Sequence, residues 1–251
     1  MMNSFSAKGV RPVDVIDVAG QAGVDLFMAH VRFTLESEVE RELLINWMAY
    51  IYQNQGKRVG WAMLLQGAQG SGKSYFGNIF EMLMGTNVKS LDTQAISGRF
   101  TGWASGSLVT VVEEIRIAGT NKYEILDKLK PIISNATIQI EEKGRDHRTV
   151  PNFTSYFLLT NHKDAVPLQD GDRRYCALFS RVQSEEQLFL ELGGQDEARK
   201  YFDTLFDSAR VNAGSIARFL LDWKIPASFD PQGRAPETAA PSPRGRAAFP
   251  L

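Results

Sequence analysis

The sequence predicts an α/β domain built on an open, mostly parallel sheet, and three observations carry that expectation. An apolar run, VGWAMLLQ from Val59, leads into a glycine-rich turn and then into an amphipathic stretch, YFGNIFEML. Strand, tight turn, helix is the order in which such domains begin. Three further short runs, LVTVV, SYFLLT and RYCALF, are apolar at successive positions, as strands covered on both faces are. Around them, apolar residues recur at helical spacing.

Taken in order, the first ~35 residues show no clear period and read as an irregular lead-in, with a short helix around Val24–Val31. Ser37 with Glu40 then forms a capping-box pattern, and Val39, Leu43, Trp47 and Ile51 define one helical face. After the strand and turn, Phe76, Phe80 and Leu83 share a face of the next helix. A helix is expected from about Lys122 to Ile133, followed by a hairpin with arms TIQIE and TVPNF and the tip KGRDHR. Beyond Ser180 the chain reads helical: Ser184 with Gln187 suggests a cap, and Ile216, Phe219, Leu220 and Trp223 form an apolar face. From Ala227 onward Pro231, Pro236, Pro241, Pro243 and Pro250 interrupt any period, which predicts a flexible tail. The expected divisions are residues 1–56 as lead-in and first helix, 57–182 as the core, 183–226 as a helical segment and 227–251 as the tail.

Composition narrows the function classes. Lys and Arg total 28 against 29 Asp and Glu, a net charge of −1. This excludes a uniformly basic nucleic-acid coating protein, so any contact with DNA must come from a local patch. Cys176 is the lone cysteine, so no intrachain disulfide forms and a reducing compartment fits. The N-terminal residues lack the apolar core of a secretory signal, and no apolar run approaches the ~18 residues of a membrane span.

Gly67-Ala68-Gln69-Gly70-Ser71-Gly72-Lys73-Ser74 matches G-x-x-x-x-G-K-[ST] at every fixed position. The glycines let the backbone turn so that successive N–H groups face one concavity, and the following helix N-terminus favours an anion. Lys73 adds a point charge for the β- and γ-phosphates, and Ser74 offers Mg²⁺ a hard oxygen ligand. The loop sits between an expected strand and an expected helix, the context that the motif requires.

A phosphate loop alone does not separate kinases, GTPases and mechanical ATPases. Glu113-Glu114 ends the run LVTVV, at the sheet edge where ligands of open α/β sheets bind. One carboxylate there can complete a metal shell and the next can orient or activate water. Asn161 ends SYFLLT; a neutral amide at that place can hydrogen-bond a γ-phosphate or the water, although alone it reads equally as a turn residue. Arg173 and Arg174 follow Asp172 and precede YCALF. They suit charge stabilisation on a transferring phosphoryl group, in trans from a neighbouring subunit, or a surface ion pair with Asp172. Lys143, Arg145, His147 and Arg148 form the local basic patch; from Lys143 to Arg148 the charge is +3 − 1 = +2 with His147 neutral. At a hairpin tip such a patch can track a phosphate backbone without reading bases.

The ordered set GAQGSGKS, VVEE, LKPIISN, basic hairpin tip, LLTN and GDRRY resembles the superfamily III helicase domain of phage and prophage primase–helicases, from about Trp47 to Phe179. The resemblance implies an AAA+-like P-loop fold that uses ATP and Mg²⁺. It further implies a homo-oligomer, typically a hexameric ring, on single-stranded DNA or a replication fork. In that scheme Lys73 and Ser74 are Walker A, Glu113 and Glu114 are Walker B with Glu114 as base, and Asn161 is the sensor. Arg173 or Arg174 is the finger reaching the next subunit's nucleotide, and Lys143 and its neighbours grip DNA in the ring's channel. A primase or polymerase partner, a cytoplasmic location in a bacterial host and no membrane association follow. The first Walker B position is often Asp, whereas here it is Glu113, with a longer arm and the same charge. No primase site or zinc-ribbon pattern accompanies the set. A DNA-loading or initiation ATPase that does not unwind shares these motifs, and a P-loop small-molecule kinase is the competitor from another class.

Overall fold

The computed structural model describes residues 9–114, 122–162 and 172–238. Five strands form one sheet: β1 (Ala62–Gln66), β2 (Val88–Leu91), β3 (Val109–Val112), β6 (Ser155–Thr160) and β7 (Tyr175–Phe179), in the order β2-β3-β6-β1-β7. Every neighbouring pair runs parallel. This is the α/β sheet that the apolar runs predict. β1, β3 and β6 are buried at every position, the burial that continuous apolar runs require.

Alternate strand residues feed two cores. One face, carrying Met63, Leu65, Val111, Phe157 and Leu178, packs under α1 (Val18–Thr34), α2 (Glu38–Gln53), α3 (Ser74–Met84), α7 (Gln195–Val211) and α8 (Ala213–Asp222). Trp47 of α2 anchors it, with its ring 5.7 Å from Phe80 and 5.8 Å from Phe157. The other face, with Leu64, Val112, Tyr156 and Ala177, is covered by α4 (Thr93–Ser97), α5 (Lys122–Ser134) and the hairpin of β4 (Thr137–Ile140) and β5 (Arg148–Pro151). A short helix, α6 (Glu185–Leu192), follows β7; the Ser184 hydroxyl accepts from the Gln187 N–H, as the sequence predicts.

Four expectations change. The lead-in is mostly helix: α1 has 17 residues and an Asp17 cap rather than one short turn near Val24–Val31. Its period is hidden by Gly20 and Gly23, where an added Cβ would lie 2.2 Å from Ser215 Oγ and 2.4 Å from Asn212 Cβ. Glycine there lets α1 lie close against the start of α8. On α2, Ser37 caps the helix as expected, but Val39 is 72% exposed and the buried stripe begins at Leu44. Strand β2 was not expected; only Val88 in it is fully buried, so its sequence looks polar.

The fourth change is the tail, because residues 226–238 pack on the sheet's edge. Phe229 lies 5.9 Å from the Trp61 ring and 5.7 Å from Tyr50. The Trp61 indole N–H donates to Asp230 O at 3.2 Å, Gly60 N–H to Pro231 O at 2.7 Å, and Ala235 N–H to Arg173 O at 2.8 Å. This segment uses backbone pairing and aromatic contact, which leave no helical or strand period. The later part of the expected tail lies outside the described residues. Among the described residues no helix is long and apolar enough to cross a membrane. Cys176 is buried in β7, and burial pushes its thiol up to about 12.

Candidate nucleotide-binding site

The topology brings the predicted residues together. All five strands run the same way, so the residues just past β1, β3 and β6 gather at one edge. β6 lies between β1 and β3, which places Asn161 between the phosphate loop after β1 and the acidic pair after β3. They line one cleft of about 300 Å³, with Gln69, Gly70, Gly72, Lys73, Ser74, Glu113, Glu114 and Asn161 on its polar wall.

The loop has the required shape. Gly70 and Gly72 adopt φ +74° and +85°, backbone that L side chains rarely enter. Gly67 N–H donates to Thr160 O at 3.1 Å and Ala68 N–H to Val182 O at 3.0 Å, pinning the loop to the ends of β6 and β7. Ser71 Oγ donates to Ala68 O at 2.8 Å, closing the turn internally. Ser74 opens α3 at the cleft.

Lys73 is 7% exposed. Its ammonium donates to Gly67 O at 2.9 Å, Ala68 O at 2.6 Å and Asn161 Oδ1 at 2.7 Å, one acceptor for each N–H. Burial lowers its pKa to about 8, and the Glu114 carboxylate opposes part of that shift. Glu114 is the only non-glycine at positive φ among the described residues, at +50°. Strain of this kind persists where surrounding structure enforces it. Glu113 N–H continues the strand ladder to Leu91 O at 2.9 Å, so the backbone leaves the sheet between the two glutamates.

The donor set suits a magnesium nucleotide. Among the described residues no group of three or more His, Cys, Asp or Glu could hold a metal ion by itself. Mg²⁺ carried on phosphates needs only one or two protein oxygens, and Ser74 and Glu113 supply that number in the cleft.

Two other predicted groups lie elsewhere. Arg173 and Arg174 precede β7, at the opposite edge of the sheet; Ala62 N–H donates to Arg174 O at 2.8 Å. The length of β1, about 13 Å at ~3.3 Å per residue, separates them from this chain's loop. Arg174 lies 3.6 Å from Asp172, while Arg173 is exposed and has no ion pair among the described residues. The hairpin tip is formed as predicted, and several of its charged groups lie in ion pairs. Arg145 and Arg148 lie 3.1 and 3.5 Å from Glu142, and His147 lies 3.9 Å from Glu141. Arg99 also pairs with Glu141, at 2.6 Å, so with Arg99 and residues 141–148 counted together the balance is +4 − 3 = +1: the patch is partly ion-paired and still net positive. Lys143 is exposed at the tip.

Leu159, Phe202 and Phe206 form the apolar wall of the cleft, and a wider cleft beside it adds Gln183, Asp196 and Arg199. The last residues come from the β7–α6 connection and α7. The aromatic spacing of Phe202 and Phe206 was a signal for an inward face of α7, although not for a site.

A family of unknown function (DUF5906) matches residues 65–174, under half of the chain, spanning the loop, the acidic pair, Asn161 and both arginines. The DNA primase-polymerase of Nitratiruptor phage NrS-1 is 29% identical over 136 residues, which are 53% of this chain and 19% of that protein. The apo structure of the NrS-1 C-terminal region superposes with TM-score 0.66 at 19% identity, covering 86% of this chain and 48% of that one. Its A form gives TM-score 0.64 at 20% identity over 90% and 50% of the two chains. This chain has the fold of that region, and it spans about a fifth of the primase-polymerase and about half of its C-terminal region.

Proposed function

We propose that this chain is an ATP-hydrolysing helicase module of phage-type DNA replication, working at the interfaces of a ring. The observation that carries the reading is the meeting of Lys73, Asn161 and the Glu113–Glu114 pair in one cleft behind the glycine loop. The loop's N–H groups and the start of α3 would cradle the phosphates, and Lys73 would exchange its carbonyl partners for phosphate oxygens. Ser74 and Glu113 would hold Mg²⁺, which would supply charge neutralisation for the phosphates. Glu114 would orient a water and take its proton as the water oxygen bonds to the γ-phosphorus and the bridge to the β-phosphate breaks. Asn161, already bonded to Lys73, would report the γ-phosphate to β6. The exposed Arg173, remote from this chain's own cleft, suits a neighbour's nucleotide. The relationship to a phage primase-polymerase supports the replication setting.

A specific observation keeps a second reading. Glu142 is shared by both hairpin arginines and offsets part of their charge, which favours a DNA-loading or initiation ATPase that does not unwind. Exposed pairs are worth less than about 1 kcal/mol and can be exchanged for DNA phosphates. A forked DNA substrate decides. ATP-dependent strand separation, lost in Lys73→Ala, supports the helicase; DNA-stimulated hydrolysis without separation supports the loader. Phosphoryl transfer to a nucleoside or metabolite, with no stimulation by DNA, would sink both. Mass in solution with Mg·ATP and single-stranded DNA tests the ring.

A further inference from the structure

His30 is fully buried in α1, 42 residues before the loop it touches. Its Nε2 lies 3.2 Å from the carbonyl of Gly72, and its Nδ1 lies 3.0 Å from the hydroxyl of Tyr201 on α7. A carbonyl only accepts, so Nε2 carries the proton; Nδ1 is then bare and accepts from the tyrosine O–H. Thr34 Oγ1, 3.5 Å from Nε2, is a weak additional neighbour. The ring is wedged edge-on to Tyr75 at 5.0 Å, stacked on Phe76 at 5.4 Å and edge-on to Phe202 at 6.2 Å. Burial holds its pKa at about 4, so the ring is neutral and has a single N–H to give.

That N–H goes to the backbone unit that matters most in the loop. In a trans peptide the C=O and the following N–H point in opposite directions. Holding the Gly72 carbonyl back, toward α1, turns the Lys73 N–H forward, toward the cleft. The Tyr75 N–H reaches the same carbonyl at 3.0 Å from the start of α3, so the oxygen uses both lone pairs. Gly72 has no room to relax away, because a Cβ there would come 2.6 Å from His30 Cε1 and 2.7 Å from Phe202 Cε1. Tyr201, which orients the imidazole, is adjacent to Phe202 in the cleft wall.

We propose that His30, oriented by Tyr201, is a positioning residue that fixes the Gly72–Lys73 peptide, so that the packing of α7 on α1 sets the loop's affinity for nucleotide. This rests on the nucleotide reading of the cleft. α7 then acts as a brace: moving it by the width of a hydrogen bond releases the imidazole and leaves the Gly72 carbonyl held by the Tyr75 N–H alone.

The test uses the full chain, with Mg·ATP binding measured by calorimetry and hydrolysis measured at steady state. Tyr201→Phe removes one hydroxyl and leaves the ring. It is expected to weaken Mg·ATP binding about three- to tenfold and raise KM to match, with kcat within about twofold, since one hydrogen bond is worth ~1 kcal/mol. His30→Ala should lose more. His30→Gln should recover most of the loss, because its amide N–H can reach Gly72 O while its amide oxygen accepts from Tyr201. Lowered melting temperatures with nucleotide Kd and KM unchanged in Tyr201→Phe and His30→Ala would assign His30 to packing alone and overturn the inference. If the native chain and Lys73→Ala both fail to bind Mg·ATP, the nucleotide reading falls and takes the inference with it. If the native chain binds and Tyr201→Phe and His30→Ala bind Mg·ATP as tightly as it does, the inference alone falls.

Discussion

The Lys73 ammonium lies 2.7 Å from the Asn161 side-chain oxygen, joining the residues that end β1's loop and β6. The contact is neutral on one side, so Lys73 keeps its full charge for a phosphate. Asn161→Asp would replace the amide with a carboxylate, hold Lys73 in an ion pair and repel phosphate. We expect Mg·ATP binding to weaken at least about tenfold, as for like charges in a partly buried site. Asn161→Ala should bind nearly normally and lose mainly turnover. Calorimetric Kd beside kcat for both variants checks this.

Glu114 joins chemistry to strain. Glu114→Gln should retain Mg·ATP binding while turnover falls about a hundredfold or more, as loss of a general base predicts. Glu114→Asn should lose turnover equally yet be more stable, by roughly 0.5–1 kcal/mol, because asparagine tolerates φ near +50° better than glutamate. Thermal melts without nucleotide, alongside hydrolysis assays, test the pair of outcomes.

The lowered pKa of Lys73 gives a pH dependence to binding. Above about pH 8 the free protein begins to lose the Lys73 proton, while a bound phosphate would restore it. Binding must then take up a proton, so Mg·ATP affinity should fall as pH rises from 8 toward 10. Lys73→Arg, always charged, should lose that slope. Isothermal titrations in buffers of different ionisation enthalpy would register the proton uptake.

His30 predicts an acid limit to stability. Its folded pKa, held down to about 4 by burial, lies below the ordinary imidazole value of 6.5. Between those values the unfolded chain binds a proton that the folded chain refuses, so stability falls as pH drops from about 6.5 to 4. The full loss is on the order of 3 kcal/mol, at 1.36 kcal/mol per unit. Denaturant melts across this range should show His30→Gln flatter than the native protein.

Two glycines separate backbone strain from crowding. Gly72 and Gly144 have similar φ, +85° and +72°, but a Cβ at Gly144 would meet nothing within 4 Å. Gly144→Ala should cost about 1 kcal/mol, the price of left-handed backbone alone. Gly72→Ala should cost at least about 2 kcal/mol more, through collision with His30 and Phe202. Paired denaturant melts measure the difference.

What the sequence made legible follows from where the information is local. β1, β3, β6 and β7 are continuous apolar runs, and their ends deliver Lys73, Glu113, Glu114 and Asn161 to one edge. β2 was hidden because an edge strand buries little: Lys89 and Leu91 are only partly covered and Ser90 is exposed. α1 was hidden because the glycines that let it approach α8 also break its period. His30, Phe202 and Phe206 carried no site signal, since a helix's periodicity says which face is inward and not what lies opposite. The hairpin tip shows the converse. Its motif was visible, but its ion pairing depended on Glu141 and Glu142, at the end of the preceding strand.

The strap of residues 226–238 has a practical consequence. A Pro-rich end invites trimming after Asp222, and that cut would take Phe229 off the rings of Tyr50 and Trp61. It would also free the Arg173 carbonyl from Ala235, loosening the mount of the exposed arginine on which the proposed ring would rely. A shortened protein would thus stick to itself through uncovered aromatic rings, whatever the native chain does. Oligomers observed with such a fragment would report the cut surface, and assembly is properly weighed on a chain that reaches at least Thr238.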